Sequence, residues 1–122
     1  MAQFVDFLST LNSAKQQAIF WHNQTNVYSE HKALNKFYDS IVGNLDGLVE
    51  SVAGIYGRPQ GYTQIEPNDW TSNDDTIAYF KNLYQYVETE RKNLYQESWI
   101  QNQIDEISAL IAQTIYLLTL NK

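Results

Sequence analysis

The chain has 122 residues, of which 43% are apolar, and this length predicts a single domain over residues 1–122. It contains no cysteine, which excludes disulfides, thiolate metal sites and cysteine nucleophiles, and which fits a cytoplasmic protein. The formal net charge is −6 and the eight Lys and Arg residues are scattered, so we expect no nucleic-acid partner.

Two helices are predicted in the first half of the chain. Apolar residues recur at steps of three and four over Gln3–Asn23, which indicates a first helix. The same spacing predicts a second helix over Val27–Ala53, with Gly54 as its stop. Because the link between them is short, the two helices should form an antiparallel hairpin.

A long irregular segment, residues 54–73, separates this hairpin from a second one. It holds both prolines and three of the five glycines, and a loop of this length is usually functional or carries a short helix. The third helix is predicted to start near Ser72–Asp75, whose side chains can cap free N–H groups. The fourth is predicted to open with Ser98 and Gln101 as a capping box and to run to the chain end.

The order of short, long and short links predicts the architecture. We expect an all-α protein, an antiparallel four-helix bundle of ferritin-like topology with one long crossover between helices two and three. Helix four is apolar on more than one side, which is typical of a bundle centre or a subunit contact. Its most apolar stretch, Ile107–Leu120, falls short of the about 20 residues that a membrane span needs, so we expect no membrane partner.

Two histidines and two carboxylates form the candidate site. His22 and His31 are the only histidines, and a tight hairpin would bring them to the same height on neighbouring helices. Asp46 and Glu50, at positions i and i+4, share one helix face. Imidazole together with carboxylate is a ligand set suited to iron, zinc or manganese.

One chain cannot bring all four side chains to one ion. His31 and Asp46 lie roughly 22 Å apart along helix two, whereas metal–ligand bonds are about 2 Å long. The residues are therefore two half-sites, which a homodimer with antiparallel second helices would join. Its two-fold axis would pass near Tyr38, Asp39 or Ser40.

Each of these residues also has a purely structural interpretation. His22 could be a satisfied core histidine that caps helix one, and His31 and Glu30 could be ordinary polar residues of a first helical turn. Asp46 and Glu50 could lie on a solvated edge. The Glu-x-x-His signature of single-bundle di-iron proteins is absent, as are hydrolase and phosphate-loop motifs.

A resemblance to a known superfamily is carried by residues 22–34, which read HNQTNVYSEHKAL. They resemble the junction of the first two helices in Dps-like members of the ferritin-like superfamily, and are most similar to small phage and bacterial proteins with an HWQTxSYxEHxAL-type motif. Residues 46–50, DGLVE, are similar to the Asp-x-x-x-Glu of that group. Asn23 departs from the Trp that usually follows the first histidine, and the histidines are closer in sequence than in Dps.

In Dps proteins the corresponding His, His, Asp and Glu hold iron across a two-fold interface. The resemblance therefore implies a metal site of His22, His31, Asp46 and Glu50, a homodimer or a higher cage, and, if the site is active, oxidation or storage of iron. Zinc and manganese remain alternatives to iron. The chain lacks the Lys-rich tail of Dps, so DNA protection is not implied. The alternative function is a non-enzymatic helical interaction or scaffold protein that kept the fold without metal chemistry.

Overall fold

The computed structural model describes residues 2–121 and folds them into four long helices. The helices are α1 (Ala2–Gln24), α2 (Tyr28–Tyr56), α3 (Asn73–Glu90) and α4 (Ser98–Leu118), and short 3₁₀ turns follow α3 at Arg91–Asn93 and α4 at Thr119–Asn121. No strand occurs among the described residues, which confirms the prediction of an all-α protein with four helices. Within this range, no helix combines the length and the apolar character that crossing a membrane requires.

The helices pack as two antiparallel hairpins joined by a crossover. The ring of Phe7, early in α1, stacks on Tyr86, late in α3, at a centroid separation of 6.1 Å, so α1 also lies antiparallel to α3. Phe37 of α2 and Phe80 of α3 meet edge to face at 4.9 Å across the centre. Glu30, near the start of α2, accepts from Asn73 at the start of α3, so α2 and α3 run in the same direction, as the long crossover predicts.

One apolar core draws on all four helices. Each fully buried Phe, Leu or Ile side chain contributes about 1.5–3 kcal/mol relative to its exposed state, so the core rather than helix propensity holds the structure together. Its largest fully buried side chains are Phe4, Phe7, Phe37, Phe80, Leu8, Leu11, Leu34, Ile41, Leu48, Ile100, Ile104 and Ile107.

The end of α2 differs from the prediction. Gly54 does not stop the helix, which continues to Tyr56. The stop is Gly57, which has a φ of +93° and whose N–H donates to the carbonyl of Ala53 at 3.0 Å. A positive φ is accessible to glycine at little cost, so the second of two nearby glycines terminates the helix and the first is accommodated within it.

The start of α4 also differs from the prediction. Glu97 is its N-cap residue and makes no capping hydrogen bond through its side chain, while Ser98 already lies inside the helix. Gln101 does not close a capping box. Its Nε2 donates instead to the carbonyl of Tyr95 at 2.8 Å and to that of Arg91 at 3.1 Å, which fastens the turn between α3 and α4.

The crossover, residues 57–72, runs back along α1 in an extended conformation without a helix of its own. The N–H groups of Thr63 and Ile65 donate to the hydroxyls of Ser9 and Ser13, each at 3.0 Å. Two residues of extended chain advance about 6.6 Å, and four helical residues advance about 6 Å. The distance between these two N–H groups of the crossover therefore matches the distance between the two serine hydroxyls on α1.

The second half of the crossover is held by the same row of α1. Gln17 accepts from the N–H of Asn68 at 2.8 Å and donates to its carbonyl at 2.9 Å. Trp21 donates to that carbonyl at 2.8 Å, and Gln24 accepts from the N–H of Trp70 at 2.7 Å. The long link is thus fixed to α1 along its length, and its end delivers α3 beside the start of α2.

Candidate functional site

His22 and His31 lie together, as the hairpin geometry predicts. Their rings stack with centroids 3.8 Å apart and planes inclined by 20°. Nδ1 of His22 is 2.8 Å from the carbonyl oxygen of His31, and Nδ1 of His31 is 2.9 Å from the carbonyl oxygen of His22. Because a carbonyl only accepts, both Nδ1 atoms carry the proton. In the neutral rings each Nε2 is then an acceptor.

The turn between α1 and α2 sets this pairing. Thr25 extends the last turn of α1 through its N–H, which donates to the carbonyl of Trp21 at 2.9 Å, and its hydroxyl accepts from the N–H of Val27 at 3.1 Å. The carbonyl of His22 belongs to the last turn of α1, where carbonyls lack helical partners. His31 satisfies one of them, so it is His31, rather than His22 as the structural interpretation had it, that caps α1.

The histidine pair sits at a half-buried edge of the helical assembly. Tyr38 meets the ring of His22 edge to face at 5.3 Å, and Tyr28, which is 74% exposed, lies over His31 at 6.4 Å. A shallow depression of about 300 Å³ opens beside His31 and is lined by residues 25–28. A ligand can therefore approach this end of α2 from solvent.

Glu30 was missed as a site residue. The interpretation of it as an ordinary first-turn polar residue is wrong, because its side chain is fully buried. Its carboxylate accepts hydrogen bonds from Trp70 Nε1, from Asn73 Nδ2 at 2.7 Å and from Thr76 Oγ1 at 3.1 Å. These bonds join the start of α2 to the end of the crossover and to the first turn of α3.

The sequence does hold a signal for this burial. Glu30 falls on the same helix stripe as Ala33, Leu34 and Phe37, all of which are buried. A carboxylate on a buried stripe needs hydrogen-bond donors to offset its lost hydration, and the donors lie some forty residues later in the chain. Because Glu30 directly precedes His31, its network also fixes the backbone that carries one histidine of the pair.

Asp46 and Glu50 lie apart from the histidines. Both are exposed on the outer face of α2, where Asp46 follows His31 by roughly 22 Å of helix. Among the described residues, no three or more His, Asp or Glu side chains are grouped so that they could hold a metal ion. A single copy therefore assembles the histidine half of the predicted site and leaves the carboxylate half on a separate surface.

The part of the chain that carries these four residues matches the sequence profile of a protein family. The chain belongs to DUF5856, a family of unknown function whose sequence profile matches residues 22–118, a range that begins at His22 and includes Asp46 and Glu50. The chain is similar to an uncharacterised 14.6 kDa protein encoded in the mobD–ri intergenic region of Enterobacteria phage T4, with 27% identity over 117 residues that cover 94% of this chain and 87% of the relative. No solved structure matches the chain.

Proposed function

We propose that this protein is a ferritin-like, Dps-like metal-binding protein whose site is completed by a second copy of the chain. His22 and His31 form one half of the site, and Asp46 and Glu50 of the second copy form the other. Iron is the proposed metal, and Fe(II) is the proposed substrate for oxidation or storage.

The observation that carries this proposal is the reciprocal bonding of the two histidines. A metal-ligating histidine almost always donates its other ring N–H to a carbonyl or carboxylate, which fixes the tautomer and the ring. His22 and His31 both donate from Nδ1, so each has an Nε2 free to coordinate. Two nitrogens bound to one tetrahedral ion at about 2.0–2.1 Å lie about 3.3 Å apart. The ring centroids are 3.8 Å apart and the ring planes are inclined by 20°, so the rings are close enough to share an ion, and metal binding requires them to splay from the stack so that both Nε2 lone pairs converge.

The carboxylate half supplies what the histidines lack. Asp46 and Glu50 are one helical turn apart and exposed, so both can reach one ion from the same face. Oxygen ligands favour hard divalent ions and imidazole favours iron, zinc and copper, so the mixed set suits Fe(II), Mn(II) or Zn(II). If Fe(II) is oxidised there, each ion gives up one electron, and dioxygen or a peroxide accepts it.

Metal titration of untagged protein tests the proposal. We expect wild-type dimer to bind Co(II) or Fe(II) at two equal sites, and His31→Gln and Asp46→Asn each to lose the binding. Glu66→Gln, which changes an exposed carboxylate of the crossover, is the matched control and should bind as wild type. All variants should keep the wild-type circular dichroism.

Mixing the two deficient variants separates a shared site from an intrachain one. A heterodimer of His31→Gln and Asp46→Asn subunits contains one intact site, so random re-pairing should restore about one quarter of the wild-type capacity. A site within one chain would regain nothing. The proposal fails if the dimer forms and takes up no metal, or if the mixture stays inactive while wild type binds.

A non-enzymatic interaction protein is the second candidate. It is favoured by apolar side chains that remain exposed outside the histidine region, among them Trp99 and Tyr116 on α4. In that case the histidine pair serves only to cap and join α1 and α2. Unchanged partner binding by His31→Gln protein, together with the absence of metal binding, would support this candidate.

A further inference from the structure

We propose that the groove between α2 and α4 docks a second copy of this chain, antiparallel about a two-fold axis, with a lysine end of one copy over an acidic end of the other. The inference rests on the proposed function for the existence of a dimer, and adds the surface that forms it and the contacts that set its register.

The lysine end is a depression of about 500 Å³ beside the first turns of α2. Lys32 and Lys36 line one side, and Leu117 and Leu120 line the other. Leu120 is 52% exposed. The hydroxyl oxygen of Ser29, which also lines the depression, is buried and has no hydrogen-bond partner among the described residues. This end therefore presents two cations and an uncovered apolar edge.

The acidic end is a second depression, of about 300 Å³, further along the same groove. Its lining includes Gly43 and Gly47 of α2 with Glu106 of α4, and Asp46 and Glu50 are exposed on the adjoining face of α2. Three carboxylates thus face solvent around a floor of glycine. Their charge is complementary to that of the lysine end.

The two glycines are not explained by packing within the chain. A Cβ on Gly43 would meet nothing within 4 Å, and one on Gly47 would make only an ordinary contact of 3.8 Å with Gln103. Glycine is nevertheless disfavoured inside a helix. The side-chain oxygen of Gln103 is buried without a partner among the described residues. A second helix lying close over the glycines accounts for their presence in α2.

The two ends are placed symmetrically. On α2 they cover residues 29–36 and 43–47, and on α4 with the 3₁₀ turn that follows it they cover residues 117–120 and 102–106. Gln103 donates to the carbonyl of Gly47 and to Ser51, which sets the relative height of these antiparallel helices. The midpoint between the two ends lies near residue 39 of α2. A two-fold axis there places each lysine end on the acidic end of the other copy.

The contacts at that register are opposite in charge. Lys32 comes level with Asp46 of the second copy. The side chain of Lys36 can reach Glu106 of the second copy, and the two-fold symmetry repeats both contacts. Exposed ion pairs add little affinity singly, but complementary charges select orientation and reject wrong registers. The groove is therefore self-complementary in this arrangement.

Charge exchange tests the inference without touching a proposed metal ligand. Lys36 and Glu106 are both exposed, so Lys36→Glu and Glu106→Lys should fold as wild type. In metal-free buffer with a chelator, we expect sedimentation equilibrium to show a wild-type dimer and a dimer dissociation constant raised about tenfold or more in each variant. Mixing the two variants should form a heterodimer in which both contacts are attractive.

The outcomes separate this inference from the proposed function. A wild-type monomer, wild-type affinity in both variants, or variants that stay apart when mixed would each overturn the docking surface. If the heterodimer forms but wild type binds no metal, the surface is correct and the metal proposal is wrong. If His31→Gln and Asp46→Asn subunits complement each other while the charge exchange has no effect, the metal proposal stands and this surface is wrong.

Discussion

The buried carboxylate of Glu30 provides the sharpest test of how this fold holds its candidate site. Replacing Glu30 by Ala removes the acceptor for three donors, on Trp70, Asn73 and Thr76. The hydroxyl of Thr76 can still donate to the carbonyl of Ser72 at 3.2 Å, so the loss falls mainly on the donors of Trp70 and Asn73. We therefore expect a large loss of stability from a residue that has no part in the apolar core.

The magnitude follows from the bonds. A hydrogen bond to a charged group contributes about 1.5–3 kcal/mol, so the bonds from Trp70 and Asn73 would contribute several kcal/mol before the lost hydration of the buried carboxylate is subtracted. We expect the free energy of unfolding to fall by about 3–4 kcal/mol for Glu30→Ala, out of a total of about 5–15 kcal/mol for a domain. Glu30→Gln keeps the volume and one acceptor oxygen, and should lose about 1–2 kcal/mol.

Urea denaturation followed by far-ultraviolet circular dichroism measures these differences. Glu66→Ala, which removes an exposed carboxylate from the crossover, is the control and should stay within about 0.5 kcal/mol of wild type. The reasoning is refuted if Glu30→Ala behaves like this control. It is also refuted if Glu30→Gln is the more damaging of the two substitutions, because the donors would then not depend on the carboxylate oxygens.

Three further predictions address other parts of the molecule. Ser13→Ala should cost about 1 kcal/mol and speed hydrogen exchange at the amide of Ile65, and unchanged protection there would contradict the docking of the crossover on α1. Burial raises the pKa of Tyr79 to about 12 from its ordinary 10.0, so Tyr79 ionises at a lower pH in the unfolded state than in the folded state. The free energy of unfolding should therefore be constant below pH 10 and fall as the pH rises towards 12. Tyr79→Phe should weaken that fall in unfolding free energy, and an identical pH profile would show another cause. Asp39→Asn should lower the dimer dissociation constant about two- to fivefold, because a two-fold axis at residue 39 brings the two Asp39 carboxylates together. Weaker association of this variant, measured by sedimentation equilibrium, would place the axis elsewhere.

The sequence was most informative where local geometry was sufficient. His22 and His31 lie symmetrically about a short link, so a tight hairpin alone predicts that they meet, and they do. The start of α3 was predicted equally well, since the hydroxyl of Ser72 accepts from the N–H of Asp75 at 3.1 Å. Both features depend on residues that are close in sequence.

The features that were missed depend on partners far along the chain. Glu30 looks like any polar residue of a first helical turn until Trp70, Asn73 and Thr76 are brought to it by the crossover. The polar row of α1 that holds the crossover is similarly ambiguous, because a hydrophilic helix face is usually solvated. Whether Asp46 and Glu50 complete a metal site remains a prediction, because it depends on contacts between copies of the chain.

Because N–H groups along the crossover pair with acceptors along α1, the number of residues in this link is constrained. From Thr63 to Trp70 the extended chain covers about 23 Å, nearly the same as the about 22 Å of helix between Ser9 and Gln24. One residue inserted beside Ile65 would turn later N–H groups away from their acceptors on α1. The longest connection in the chain should therefore accept insertions less readily than the short turns, although surface loops usually accept them best.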